Sequence, residues 1–331
     1  NGKDIQDWDT YLIPSVAAKN QSPIGLNKDP NNVFTISDGM LHISGQDWGG
    51  IATKESFSNY HLRFQVKWNE KKWPPRHNAL RDGGLLFHCS LPYDFGSKCW
   101  MKSVELQIQE GDMGDYHNVG AGIPVMQISP AIAEGDSVQQ YNPFAQFSTY
   151  DKRVYRSGNF ESPYGEWNTV ELVCRGADAV FIINGFVVNR LYNLFDVQKH
   201  EQVRGGRIQF QSEGSAHSLR NIELRKLETL HKPEALSCRH KEVMLKPGTE
   251  QQIQIGAEHS VEIIALELLG KGLENYTVRL PRFPYIIEKG KPMIVNVALR
   301  ESINSAPPVL LKLETTQGPV SDFVISLSSA P

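Results

Sequence analysis

A chain of 331 residues is long for one compact domain, and at roughly 150 residues per domain it predicts two. Hydrophobic residues make up 40% and charged residues 21%, enough apolar material for real cores and too much polarity for a chain that lives in a bilayer. The net charge is −3, from 34 Lys and Arg against 37 Asp and Glu, with no long basic block, which argues against nucleic acid and against membrane insertion.

The opening residues, Asn1 to Trp8, are polar, and they lack the charged start, apolar run and small-residue cleavage site of an export signal. Beyond them, apolar residues recur at period two with almost no sustained helical period, which predicts an all-β protein. The clearest predicted strands are His61 to Trp68, Gly84 to Cys89, Val104 to Gln109, Thr169 to Cys174, Ala179 to Ile183, Gly206 to Gln211 and Leu219 to Leu227, separated by Gly, Asn, Asp and Pro. In HLRFQVKW, His61, Arg63, Gln65 and Lys67 are polar and the residues between them apolar, so one sheet face is expected to be wet.

Two of these strands carry chemistry. RDGGLLFHC places Asp82, Gly84, Leu86 and His88 on one face, with Leu85 and Phe87 on the other. In VELQIQ the apolar Val104, Leu106 and Ile108 oppose Glu105, Gln107 and Gln109. An ordinary wet strand face carries Thr, Lys or Ser, whereas a carboxylate and two carboxamides in a row suit sugar hydroxyls or the orientation of a catalytic carboxylate. Antiparallel pairing of the two strands is expected to bring His88 within reach of Glu105. An imidazole beside a carboxylate is the minimum for proton transfer or for two ligands of a divalent cation. Glu110, Asp112 and Asp115 follow in a Gly-rich loop that does not meet the EF-hand pattern and reads as a rim of the same site.

From Gln127 to Glu166 there is no clean period, which predicts binding loops. Of the residues there, Tyr141, Phe144, Phe147, Tyr150, Arg153, Tyr155 and Arg156, most of the aromatics are expected to pack the connection onto the sheet, and Tyr155 to line a sugar cleft. Asn184-Gly185 between FII and FVV predicts a type I′ hairpin. The polar LHKPEALS marks a boundary near residue 234, dividing a domain of residues 1–230 from a second one of residues 235–331, a sandwich of immunoglobulin-like size. Within the latter, AEHSVEIIALELLG could pass for a helix, but its Val and Ile favour strand.

Four cysteines without a C-x-x-C pair exclude a zinc ribbon or thioredoxin-type site. Cys89 and Cys99 flank a Pro/Gly loop and could be bridged, Cys174 shares a buried strand face with Val170 and Leu172, and Cys238 stands alone near the boundary. No G-x-S-x-G, G-x-G-x-x-G or phosphate-loop lysine motif occurs, which argues against a hydrolase elbow and a nucleotide cofactor.

Several motifs in register resemble the 3-keto-disaccharide hydrolase family: NGKDIQDW, GGLLFH, WMKSVELQIQEGDMGDY, GEWNTVEL, INGFVVN and GGRIQFQSEGSAHSLRNIEL, spanning residues 1–228. The resemblance implies a concanavalin A-like jelly roll of two antiparallel sheets with the site on the concave face. It also implies an exported bacterial protein, periplasmic or at the outer cell surface, with room for a lipid anchor upstream, since the family's opening phrase has a Phe before Asn1. It carries Glu105 and Gln107 over directly, and His88 within a branch that has histidine where many relatives have arginine; those relatives read Asn-Ser-Gly where this chain has Asp82-Gly83-Gly84.

The implied substrate is a 3-keto-glycoside. A ketone at C3 acidifies the C2 proton, so a base can remove it and the enolate expels the C1 substituent, with or without later addition of water. The chemistry needs a base, an electrophile near the C3 oxygen and a leaving-group acid, and not the carboxylate pair of a glycosidase. The expected catalytic residues are Glu105 and His88, which could also hold one divalent cation. Asp82, Gln107, Gln109, Glu110, Asp112 and Tyr155 are expected to bind sugar. A lectin-like module on the same fold and a conventional glycoside hydrolase are the competing readings. A lectin would need the amides and aromatics but no histidine beside a carboxylate.

Overall fold

A computed structural model describes residues 2–15, 22–133, 135–199, 201–227, 236–239, 242–269, 273–302, 306, 309–315 and 318–330. The chain is nearly all β, and no helix among the described residues is long and apolar enough to cross a membrane. It divides into two compact units, Asn1–Ala145 with Tyr150–Leu227, and Gln146–Thr149 with Glu228–Pro331.

In the first unit a seven-stranded front sheet runs in the order Gly25–Leu26, Trp8–Ile13, Trp48–Thr53, Arg207–Ser212, Gly84–Ser90, Lys102–Gln107, Tyr116–Val119. Behind it lies a larger sheet built around Phe186–Asp196, Asp178–Ile183, Asn168–Arg175, Asn59–Lys72 and Ser215–Lys226. The core fills the space between them. Leu85, Phe87, Val104, Leu106 and Phe210 come from the front, and Leu62, Phe64, Val66, Val170, Leu172 and Phe181 from the back. These are the apolar members of the alternating runs, and burying them against the opposite sheet is what makes the sandwich stable. The Asn184-Gly185 turn joins Ile183 directly to Phe186, with both central residues at positive φ (49° and 85°) as type I′ geometry requires.

Three expectations are corrected. First, Gln127 to Glu166 is not a run of loops: Ile123–Ala133 and Asp136–Tyr141 form a hairpin in which Ile128 pairs with Tyr141. The outer part of this hairpin has no consistently buried face, so its sequence shows no hydrophobic period. Second, Cys89 and Cys99 are free thiols, buried together in an apolar cluster with Trp48, Leu86, Trp100 and Met101. Third, the polar face of VELQIQ is not wet. Glu105 is 7% and Gln107 8% exposed, and the strand ends at Gln107, leaving Gln109 in the following turn.

The second unit packs a sheet of Leu236–Cys238, Glu250–Ala257, Met293–Leu299 and Tyr276–Arg279 against one of Glu242–Leu245, Gly318–Ser329, Val309–Thr315, Val261–Leu269 and Tyr285–Ile287. Ile253, Ile255, Val295, Val297, Leu311 and Leu327 lie in its core. AEHSVEIIALELLG forms a strand there, Val261–Leu269.

Candidate active site

The outer face of the front sheet is assembled from two rows of side chains that cross the strands. Gln209 lies opposite Ala52 on one side and Leu86 on the other, Leu86 lies opposite Glu105, and Glu105 opposite His117. One pleat along, Gln211 is beside Gly50, and Gly84 lies opposite Gln107. Residues directly opposed on an antiparallel pair share a face, so E-x-Q in one strand and Q-x-Q in another give a patch of carboxyl and carboxamide groups.

The first row continues beyond the sheet. An isolated bridge pairs Tyr116 with Val154, both of which point into the core. The alternation places their neighbours His117 and Arg153 opposite each other on the site face, with Asp115 and Tyr155 one step along. Arg153 stacks on the Tyr155 ring at 4.1 Å. Its Nε and Nη2 donate to Asp115 Oδ2 at 2.8 and 2.6 Å, and Nη2 lies 2.9 Å from Asp112.

The glycines are part of the design. A Cβ on Gly84 would collide with the Glu105 carboxyl and the Gln211 amide, and one on Gly50 with the Gln209 side chain. The bare backbone at Gly84 thus lets Gln211 hydrogen-bond to Glu105 across an intervening strand.

At the edge of the patch Arg76 forms ion pairs with both Asp82 and Glu213 and lies 5.9 Å above the Trp48 ring. All three carboxyls are perturbed upward. Burial pushes Glu105 well above the usual carboxylate range, and the neighbouring Glu213 and Asp82 add to it. Burial raises Glu213 to about 8 and Asp82 to about 6, each against the opposing pull of Arg76. His117 moves the other way: burial, helped by the Arg153 charge, lowers it to about 4. Glu105 therefore holds its proton more tightly than an ordinary carboxyl and His117 less tightly than an ordinary imidazole, on directly opposed strand positions.

Four buried polar atoms on this face have no hydrogen-bond partner among the described residues: Gln211 Oε1, Gln209 Nε2, His117 Nε2 and Trp48 Nε1. Leaving such atoms unpaired is costly. A ligand rich in hydroxyl groups would satisfy acceptor and donors alike.

Of the residues expected from sequence, the structure brings Glu105, Gln107 and Asp82 together and adds Tyr155 at the far end. It does not bring His88 to Glu105. His88 sits in a β-bulge at φ 52°, where two residues of its strand oppose one of the next. The bulge reverses the alternation, so Cys89 joins Leu86 on the outer cluster while the His88 ring turns into the sandwich, edge to face with Phe87, donating from Nε2 to the Gly176 carbonyl at 3.0 Å. Burial lowers its pKa to about 4. The cation pair His88 and Glu105 is thus not formed, and no set of three His, Cys, Asp or Glu able to hold a metal ion occurs among the described residues.

Gln109, Glu110 and Asp112 serve the frame. Gln109 donates to Asp112 at 2.6 Å, Glu110 takes Arg81 at 3.0 Å, and Asp112 is held by Arg153 and Arg156. Residues that the sequence reading passed over include His117, Gln209, Gln211, Glu213 and Arg76. For three of them a signal existed: RIQFQSE repeats the alternating carboxamide and carboxylate pattern of VELQ.

Residues 1–225 match the family described as 3-keto-alpha-glucoside-1,2-lyase-like domain. No curated protein matches the chain in sequence. Among solved structures, a provisionally assigned glycosyl hydrolase from Parabacteroides distasonis is similar at 15% identity and TM-score 0.40, over 69% of this chain and 92% of that one. A second such protein from the same organism gives 19% and 0.37, over 60% and 93%. A carbohydrate-binding module, CBM66, from Bacillus subtilis gives 9% and 0.32, over 66% and 96%. With more than half its length matched, the chain belongs to the 3-keto-alpha-glucoside-1,2-lyase-like family of carbohydrate-active domains.

Proposed function

We propose that the first unit cleaves 3-keto-glycosides by elimination, with His117 removing the C2 proton and Glu105 protonating the departing C1 oxygen. The observation that carries this reading is the directly opposed Glu105 and His117, whose surroundings drive their proton affinities apart. An acid that stays protonated beside a base that stays neutral is the pair an elimination needs at neutral pH. The proton count closes: the C2–H electron pair forms the enolate, the enolate expels the C1 oxygen, and that oxygen takes the Glu105 proton. His117 then holds a proton that Glu105 lacks, and its return to Glu105 resets the site.

The other residues of the patch have supporting roles. Gln211, Gln209 and the Trp48 indole offer unpaired hydrogen-bonding atoms to sugar hydroxyls. Asp82 and Glu213 raise the proton affinity of Glu105. No step is routed through a metal ion, because the residues that would hold one are not brought together.

The test is to incubate the full chain with a 3-keto-glucoside and, separately, with its unoxidised parent, following aglycone release and the absorbance of the conjugated enone. Release from the keto sugar alone is expected. Release from both would make the protein a conventional glycosidase, and binding of either without release would make it a lectin-like module.

A further inference from the structure

Elimination through an enolate needs an electrophile at the C3 oxygen, and His88, expected with Glu105 to hold a cation for that purpose, faces the interior. We propose that Arg153 is the electrophile that receives the developing enolate oxygen, an inference that rests on the elimination reading above. The row of opposed residues runs Glu105, His117, Arg153, so the guanidinium follows the base just as O3 follows the C2 hydrogen along the sugar ring.

Two arginines grip the same two aspartates, and they are not equivalent. Arg156 donates its backbone N–H to Asp115 at 2.8 Å, its Nη1 to Asp112 and Asp115 at 3.0 Å each, and its Nη2 to the Gly111 carbonyl. It ties the turn between the strands of Glu105 and His117 to the chain that follows, and its side chain is only 13% exposed. Arg153 uses Nε and Nη2 on the aspartates, leaves Nη1 without a partner among the described residues, and is 28% exposed. With Asp115 clamping one edge and the Tyr155 ring under its plane, the free edge is oriented before substrate arrives. A donor fixed in advance where negative charge develops is the arrangement that stabilises an oxyanion most strongly.

In the step itself the C2–H bond breaks as the proton moves to His117, the electron pair forms C2=C3, and the carbonyl π pair moves onto O3, where Arg153 meets it. On collapse the O3 pair returns, C1–O1 breaks, and the leaving oxygen takes the Glu105 proton. No oxidant, reductant or co-reactant is required.

The experiment follows exchange of the C2 proton of methyl 3-keto-glucoside in D2O by proton NMR, for the native chain, Arg153→Ala and Arg153→Lys, alongside the affinity of each for the unoxidised methyl glucoside. Arg156 still holds Asp112 and Asp115 in these variants, so they should fold as the native chain does. Arg153→Ala should slow exchange on the order of 10²–10³-fold, with Arg153→Lys between it and the native rate. Affinity for the parent, which has no carbonyl, should change by less than about threefold, and added methylguanidinium should restore part of the lost rate. Exchange by Arg153→Ala within about fivefold of native would overturn the proposal, as would an equal loss of affinity for the parent sugar, which would make Arg153 a binding residue only. Should Arg153→Ala fail to fold, the lysine variant, which keeps the charge but not the fork, decides on the same two readouts. Absence of both C2 exchange and methanol release by the native chain would instead remove the elimination reading, and this inference with it.

Discussion

Glu105 and His117 are directly opposed yet separated in proton affinity by their surroundings, and their variants should fail differently. Glu105→Gln keeps the shape and the hydrogen bond to Gln211 but has no proton to give. It should slow cleavage by about 10²–10⁴-fold for an alkoxide leaving group and far less for a nitrophenolate, which departs without protonation. His117→Asn should lose both substrates equally, because C2 proton removal precedes either departure. A leaving-group series on the two variants checks this, and equal loss in both would contradict the division of labour. The pH profile follows from the same assignments. Activity should fall on acidification as His117 takes up a proton near 4, and at high pH as Glu105 loses its own.

Stability has its own pH signature. Glu213 is raised from 4.5 to about 8, so between those values the folded state binds more protons than the unfolded one. The stabilisation is complete below 4.5 and is lost as pH rises through about 8. The buried His88, His117 and His217, all lowered from 6.5 to about 4, act in the opposite direction, since protonating them favours unfolding on acidification. Above about 7.5 the histidines are silent. Denaturant titrations between pH 7.5 and 8.5 should therefore show stability falling as pH rises, with Glu213 contributing up to about 1.4 kcal/mol per pH unit and a flatter slope in Glu213→Gln. An unchanged slope would show that Glu213 ionises normally.

At the scale of the element, the site depends on register. Strand alternation made Glu105, Gln107 and the inner Leu106 legible in the sequence, because a regular strand with one face in the core has a period of two. The same alternation misplaced His88, since one residue at positive φ in a bulge reverses every later assignment and leaves no hydrophobic trace. His117 and Arg153 were obscured for another reason. They reach the row through the irregular turn after Gln107 and through a single bridge at Tyr116, neither of which has a period. Gln209 and Gln211 were readable in RIQFQSE, but only strand order, not pattern, puts them beside Gly84. Gly84→Ala probes this packing: its methyl group would displace the Glu105 carboxyl or the Gln211 amide, costing about 1–3 kcal/mol in stability together with activity. Native turnover in that variant would mean that the Glu105 and Gln211 contact is dispensable.

For the whole molecule, every group assigned a role lies in the first unit, whose core is separate from that of the second. A chain ending at Lys232 should remain folded and turn over within about threefold of the full protein, as expected of domains with cores of their own. A soluble, folded truncation without activity would show that the second unit contributes to the site. The central claim is that the sugar lies over His117, between Glu105 and Arg153, and its most direct test is a crystal structure of Glu105→Gln with a 3-keto-glucoside bound. The account predicts the glycosidic oxygen at residue 105, C2 facing His117 Nε2 and the ketone oxygen at Arg153 Nη1. A sugar seated elsewhere on the protein, or one that turns its ketone away from Arg153 and His117, would contradict it.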